Sequence, residues 1–182
     1  GILADARVLI DEAQVLAQQN RVTYGSPIEP ISVMRRIADK KQMFTQYGGA
    51  RPYGVSVMVG GVNKSKPSLY ASEVYGNFFS YRANAIGEND EEIQRDEGFS
   101  SAFSKIVSGK AGYKAVIEKK AIIIICKGCN KTLEEGIKFC LKIFKDLLGK
   151  NFDASRFEAG YVKTEDEKLV RLHGDDLKKF VK

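Results

Sequence analysis

Apolar residues recur at helical spacing along residues 1–20. Ile2, Ala6, Leu9, Ala13, Leu16 and Ala17 form one stripe, with Asp5, Asp11, Glu12 and Gln19 opposite. Gly25-Ser26-Pro27 interrupts the pattern. It resumes over residues 29–47, where Ile31, Met34, Ile37, Ala38 and Phe44 share a face; Pro30 suits a first helical turn and Glu29 its positive end. The two stripes predict an antiparallel helix pair. The period then changes. Gly48-Gly49 admits positive φ, and Pro52 stops the helix and biases Arg51 towards extended backbone. Val55-Ser56-Val57-Met58-Val59 alternates as a strand does. A helix therefore ends in a tight, exposed turn that feeds a strand.

From Gly54 the chain predicts an antiparallel meander: strands Gly54–Val62 and Ser68–Val74 joined across residues 63–67, then Tyr75-Gly76-Asn77 turning into Phe78–Ile86. Gly60-Gly61 marks a bulge or a close helix crossing. Glu91–Val107 reads as a poor helix, and Gly109-Lys110-Ala111-Gly112 as a break. Ala121–Cys126 is a β-branched run that needs burial on both faces or a partner strand. Residues 88–130 are thus poorly assigned, and 109–130 read as a candidate insertion. Thr132 with Glu135 forms a capping box that opens a helix, with Leu133, Ile137, Cys140, Leu141, Phe144 and Leu148 on one face and Gly149 closing it. Phe157, Ala159 and Tyr161 alternate as a strand, partnered by Lys168–Leu172 across Glu165-Asp166-Glu167. Asp175 caps a short terminal helix presenting Leu177, Phe180 and Val181.

Composition narrows the function classes. At 182 residues, 43% hydrophobic and 29% charged, the chain fits one soluble globular domain. No apolar run reaches a membrane span, and the amino end lacks a basic-then-apolar leader. Three cysteines, an odd number, fit a reducing compartment. The net charge of +6 raises nucleic acid as a partner. Lysines interleaved with acids, as in Glu134-Glu135-Gly136-Ile137-Lys138, argue instead for a solvated surface and no nucleic acid. Weak, salt-insensitive heparin retention is the check. Cys126 and Cys129 have no second pair, and the sole histidine, His173, is distant and reads as a turn residue; no metal site is predicted. Cys140 reads as core. No glycine pair ends in the Gly-Lys-Ser/Thr of a phosphate loop, so no cofactor is predicted.

The stretch Thr45-Gln46-Tyr47-Gly48-Gly49-Ala50-Arg51-Pro52-Tyr53-Gly54-Val55-Ser56 resembles the signature segment of proteasome α subunits, the outer-ring subunits of the proteasome core particle. Gly1-Ile2-Leu3-Ala4-Asp5-Ala6-Arg7 resembles the start of that family's first long helix. Val22-Thr23-Tyr24-Gly25 resembles the loop after it, and Ala83-Asn84-Ala85-Ile86-Gly87 a later strand end. The matches keep the family's order and spacing across residues 1–87.

The resemblance implies one domain over residues 1–182 of the α+β class: an amino-terminal-nucleophile-hydrolase-like αββα sandwich of antiparallel sheets, incomplete at the amino end. Family members carry a gating segment and the first strands of both sheets ahead of the position of Gly1. The expectation is that the chain lacks its natural beginning. The function implied is a non-catalytic ring subunit, with no catalytic residues, since Gly1 has no side chain to attack with. The alternative is a catalytic, threonine-peptidase-like relative whose nucleophile lies outside these residues; an exposed Thr, Ser or Cys at the native amino terminus would mark it.

By the same resemblance, Tyr47, Gly48, Gly49 and Ala50 line the axial substrate entrance, and Arg51, Pro52, Tyr53 and Gly54 are the structural turn behind it. Gly1 and Ile2 belong to a pocket for activator tails, whose partner lysine precedes Gly1. The helix start there is also a natural anion site. The implied partners are other α subunits in a seven-membered ring, β subunits, tails of activators or regulatory ATPases, and unfolded proteins in transit to ATP-dependent degradation. The implied location is the cytoplasm, and the nucleus too in a eukaryote.

Overall fold

A computed structural model of the chain describes residues 1–87, 90–95, 114–117, 122–125, 133–165 and 167–181. The chain divides into two compact units, Gly1–Asn63 with Ser68–Tyr81, and Lys64–Pro67 with Arg82–Lys182.

In the first unit α1 (Leu3–Tyr24) ends on Gly25, whose φ of 66° lets its N–H reach the Arg21 carbonyl at 2.9 Å. Helix α2 (Pro30–Gln46) starts with Pro30 at its first turn, after Glu29. The helices run antiparallel and are clamped by Glu12, which accepts from Arg36 at 3.0 Å and from Lys40. Leu9, Val33, Ile37, Val55 and Val57 form the core beneath them. Two stripe assignments change. In α2, Val33 and Lys41 are buried while Ile31 and Phe44 are only half-buried. In α1, Asp5 leaves the polar face and is buried beside Leu9. Asp5 meets a cationic partner, Arg51, and Lys41 meets neutral acceptors on Val55, Ser72 and Glu73, all far away in the chain.

Strands β1 (Val57–Asn63), β2 (Lys66–Ser72) and β3 (Phe78–Tyr81) form a sheet in that order. The β1–β2 turn is Lys64-Ser65, with φ of 49° and 59°, the two-residue turn whose twist matches the strands. It is shorter than the predicted link, and Pro67 sits within β2, ahead of Leu69 where pairing with β3 begins. Of the two readings of Gly60-Gly61, the close crossing holds. A Cβ on Gly61 would lie 2.6 Å from Pro30 Cγ. The single strand predicted over Phe78–Ile86 is two: β3 pairs with β2, whereas β4 (Ala83–Ala85) joins another sheet. Propensity marks the run as extended, but the available partner decides which sheet it joins.

The second unit holds a five-stranded antiparallel sheet, ordered β4-β6-β5-β7-β8, with β5 Lys114–Ile117, β6 Ile122–Ile125, β7 Ala159–Val162 and β8 Leu169–Leu172. The β-branched run finds partners on both edges, Ile124 pairing with Ala83 and with Ala115. Residues 109–130, left without an element above, thus supply two interior strands. Helix α3 (Asp90–Arg95) covers the start of the predicted Glu91–Val107 helix; the rest of that helix, Gly109–Gly112, Cys126, Cys129 and Thr132 lie outside the described residues. Helix α4 (Leu133–Leu148) buries Ile137, Cys140, Leu141, Ile143 and Phe144, and gives way at Gly149, with φ of 50°. Phe144 meets Phe157 with ring centroids 4.9 Å apart. The short α5 (Gly174–Leu177) starts after His173 rather than on Asp175; the Asp175 carboxylate accepts from Lys178 at 2.7 Å instead. Leu177 is fully buried, with Phe180 and Val181 packed beside the same core. No helix among the described residues is long and apolar enough to cross a membrane.

Candidate functional site

The amino end of α1 and the stem of the Gly48-Gly49 turn are built into one another. Arg51 sends a fork into Asp5, Nη1 to Oδ2 at 2.7 Å and Nη2 to Oδ1 at 2.9 Å. The Gly54 N–H donates to the same Oδ2 at 2.9 Å, and Ile2 N–H donates to the Gly54 carbonyl at 2.9 Å. Space is tight. A Cβ on Gly1 would lie 2.6 Å from the Gly54 oxygen, and one on Gly54 2.8 Å from Ile2 Cδ1. The Arg51 hydrogen bonds, then the Gly54 N–H, hold the Asp5 carboxyl below its usual range, and Asp5 raises Arg51 in return.

Beyond this stem the turn projects. Tyr47, Gly48, Gly49 and Ala50 are all exposed, Tyr47 at 60%. Gly49 has a φ of 84°, and open space surrounds both glycines. Ala50 N–H donates to the Tyr47 carbonyl at 3.3 Å. On the helix side Phe44 packs edge-on against Tyr53 at 4.9 Å and touches Tyr47 at 6.1 Å. Pro52, Tyr53 and Gly54 are half-buried. The structure therefore brings the predicted Gly1-Ile2 pair and the Arg51–Gly54 turn together, and leaves Tyr47–Ala50 free at the tip.

Two side chains that hold the site escaped sequence reading, Asp5 and Lys41. Each had a signal. Asp5 lies four residues before Leu9, and Lys41 four after Ile37, so each shares the buried face of its helix. Lys41 Nζ donates to the Val55 carbonyl at 2.8 Å, fixing the residue that follows the stem. Burial draws its pKa down to about 8. His173 sits at the start of α5, its Nδ1 3.5 Å from Glu158 Oε1, and Cys140 is core. Among the described residues no three His, Cys, Asp or Glu side chains gather as a metal site would need. What the site offers is an exposed backbone turn on a hydrogen-bonded stem.

The sequence profile of the family described as Proteasome subunit matches residues 1–96, which contain this whole site. The chain belongs to the proteasome subunit family. It is 33% identical to the proteasome subunit alpha of Methanosarcina acetivorans over 181 residues, covering 100% of this chain and 63% of the relative. Its identity to the proteasome subunit alpha of Pyrococcus abyssi is also 33% over 181 residues, 100% of this chain and 59% of the relative. With that of Thermococcus onnurineus it shares 37% over 153 residues, 84% of this chain and 56% of the relative. The chain thus spans about three fifths of the length of the curated relatives it matches. Proteasome subunits have the amino-terminal-nucleophile-hydrolase-like fold, and the antiparallel sheets and helices of both units agree with that α+β class.

Proposed function

We propose that the chain is a non-catalytic α subunit in the outer ring of a proteasome core particle, with Tyr47–Ala50 forming the axial entrance for unfolded proteins. The observation that carries this reading is the exposed turn, free of side-chain bulk at Gly48 and Gly49, standing on a stem pinned by Asp5 and Arg51. Small residues let several such turns converge on one axis, and the pinned stem keeps the opening constant. Similarity to subunits named alpha supports assembly with other proteasome subunits. The reading extends this to a ring shared with other α subunits and stacked on β subunits, with unfolded chains passing through to ATP-dependent degradation in the cytoplasm. The same reading has activator tails docking at Gly1 and Ile2, which pack on Gly54.

Two substitutions test the entrance. Gly48 has open space and needs no positive φ, so Gly48→Trp adds bulk without backbone strain; Gly49, at φ 84°, is strained by any side chain. In the assembled particle, Gly48→Trp should slow degradation of an unfolded protein far more than hydrolysis of a short peptide. Gly49→Ala should instead cost about 1 kcal/mol of thermal stability with little narrowing. Equal rates for wild type and Gly48→Trp on unfolded protein would refute the entrance.

A further inference from the structure

We propose that Asp5 is a positioning residue that sets the width of substrate admitted at the Tyr47–Ala50 turn. This rests on the entrance reading above. The tip of the turn has little to hold it: one internal hydrogen bond of 3.3 Å and no neighbours around the place of either glycine Cβ. Its position is therefore inherited from the stem. On the helix side the Phe44–Tyr53 and Phe44–Tyr47 ring contacts are apolar and tolerate sliding. On the strand side one carboxylate takes three N–H groups, two from Arg51 and one from Gly54. They bracket Pro52 and Tyr53, so both ends of the stem are registered on α1. Asp5 is the fixed member of the pair, its side chain 11% exposed against 63% for Arg51. Geometry, more than charge, does the holding. A planar fork meets both carboxylate oxygens at once, which a lysine ammonium cannot do. Without Asp5 the Gly54 N–H and the Arg51 fork lose their common anchor, and the tip is free to swing aside.

The test uses the full-length subunit in its assembled particle. Asp5→Ala and Arg51→Lys are compared with wild type on two forms of one unfolded protein, linear and carrying a non-reducible internal cross-link that presents two strands abreast. The readout is the ratio of cross-linked to linear degradation rates. It should rise several-fold in both variants, whereas a purely structural role lowers both rates together and leaves the ratio alone. An unchanged ratio in Asp5→Ala, while Gly48→Trp still slows the linear protein, overturns this inference and spares the entrance reading. No effect of either substitution removes both. Arg51→Lys keeps the ion pair and so carries the test where Asp5→Ala fails to fold; loss of assembly in both assigns the pair to folding and overturns the positioning role.

Discussion

Lys41 Nζ lies 2.7 Å from Ser72 Oγ, with both side chains closed off from water. The same ammonium donates to the Val55 carbonyl at 2.8 Å and the Glu73 carbonyl at 3.2 Å, and Ser72 Oγ reaches on to the Val57 carbonyl at 3.4 Å. All three ammonium protons are thereby used. One side chain of α2 thus fixes the segment entering β1 and the residues leaving β2. A buried charge among neutral acceptors is costly, which is why its proton is held less firmly.

Replacing Lys41 should expose that balance. Lys41→Met keeps the volume and strands the acceptors, for a loss of about 1–3 kcal/mol. Lys41→Ala adds a cavity and should cost roughly 2–5 kcal/mol more. The pH dependence has a definite sign. The folded pKa, about 8, lies below the ordinary lysine value of about 10.4. Between those values the unfolded chain holds a proton that the folded chain has released, so stability rises with pH. Urea midpoints of wild type relative to Lys41→Met should climb through that window. A flat difference would contradict this account.

Asp5 gives a dependence of the same sign, but in acid. Arg51 and then the Gly54 N–H hold its carboxyl below the usual range. Its contribution is therefore complete above the ordinary value of about 3.9 and is lost as pH falls through the lower folded value. The stability difference between wild type and Asp5→Asn, followed by circular dichroism in urea, should be constant near neutrality and shrink in acid.

Two helix glycines should respond in opposite directions to alanine. A Cβ on Gly174 would lie 2.4 Å from the Ser155 carbonyl oxygen, backbone that cannot yield, so Gly174→Ala should cost about 1–3 kcal/mol. Gly136, inside α4, meets nothing within 4 Å, and Gly136→Ala should stabilise by about 1 kcal/mol through helix propensity. Thermal melts of the two variants decide both.

Cys140 is 1% exposed, and burial pushes its thiol up to about 12. Little reactive thiolate exists at neutral pH. Iodoacetamide should modify Cys140 only after unfolding, as peptide mass spectrometry can follow.

Much of the fold was legible from local chemistry. Pro30 and Glu29 opened α2 as read, Gly149 closed α4, and the strand pair Ala159–Val162 with Leu169–Leu172 lay where alternation put it. The turn at Gly48-Gly49 was equally plain, because glycine, proline and helical period act on neighbours in the chain. What the sequence alone left open were partners. Asp5 and Arg51 stand 46 residues apart, Lys41 and Ser72 31 apart. Asp5 read as a solvated acid, although it shares the face of Leu9, because its cationic partner lies nowhere near it in the sequence. Phe78–Ile86 read as one strand because extended propensity does not say which edge a backbone will find. The four isoleucines of β6 likewise announced burial but not the pairing with β4 and β5. Local patterning determined where elements begin and end. Tertiary structure decided which charges are buried and which sheet each strand joins, since both depend on groups that only folding brings within hydrogen-bond reach.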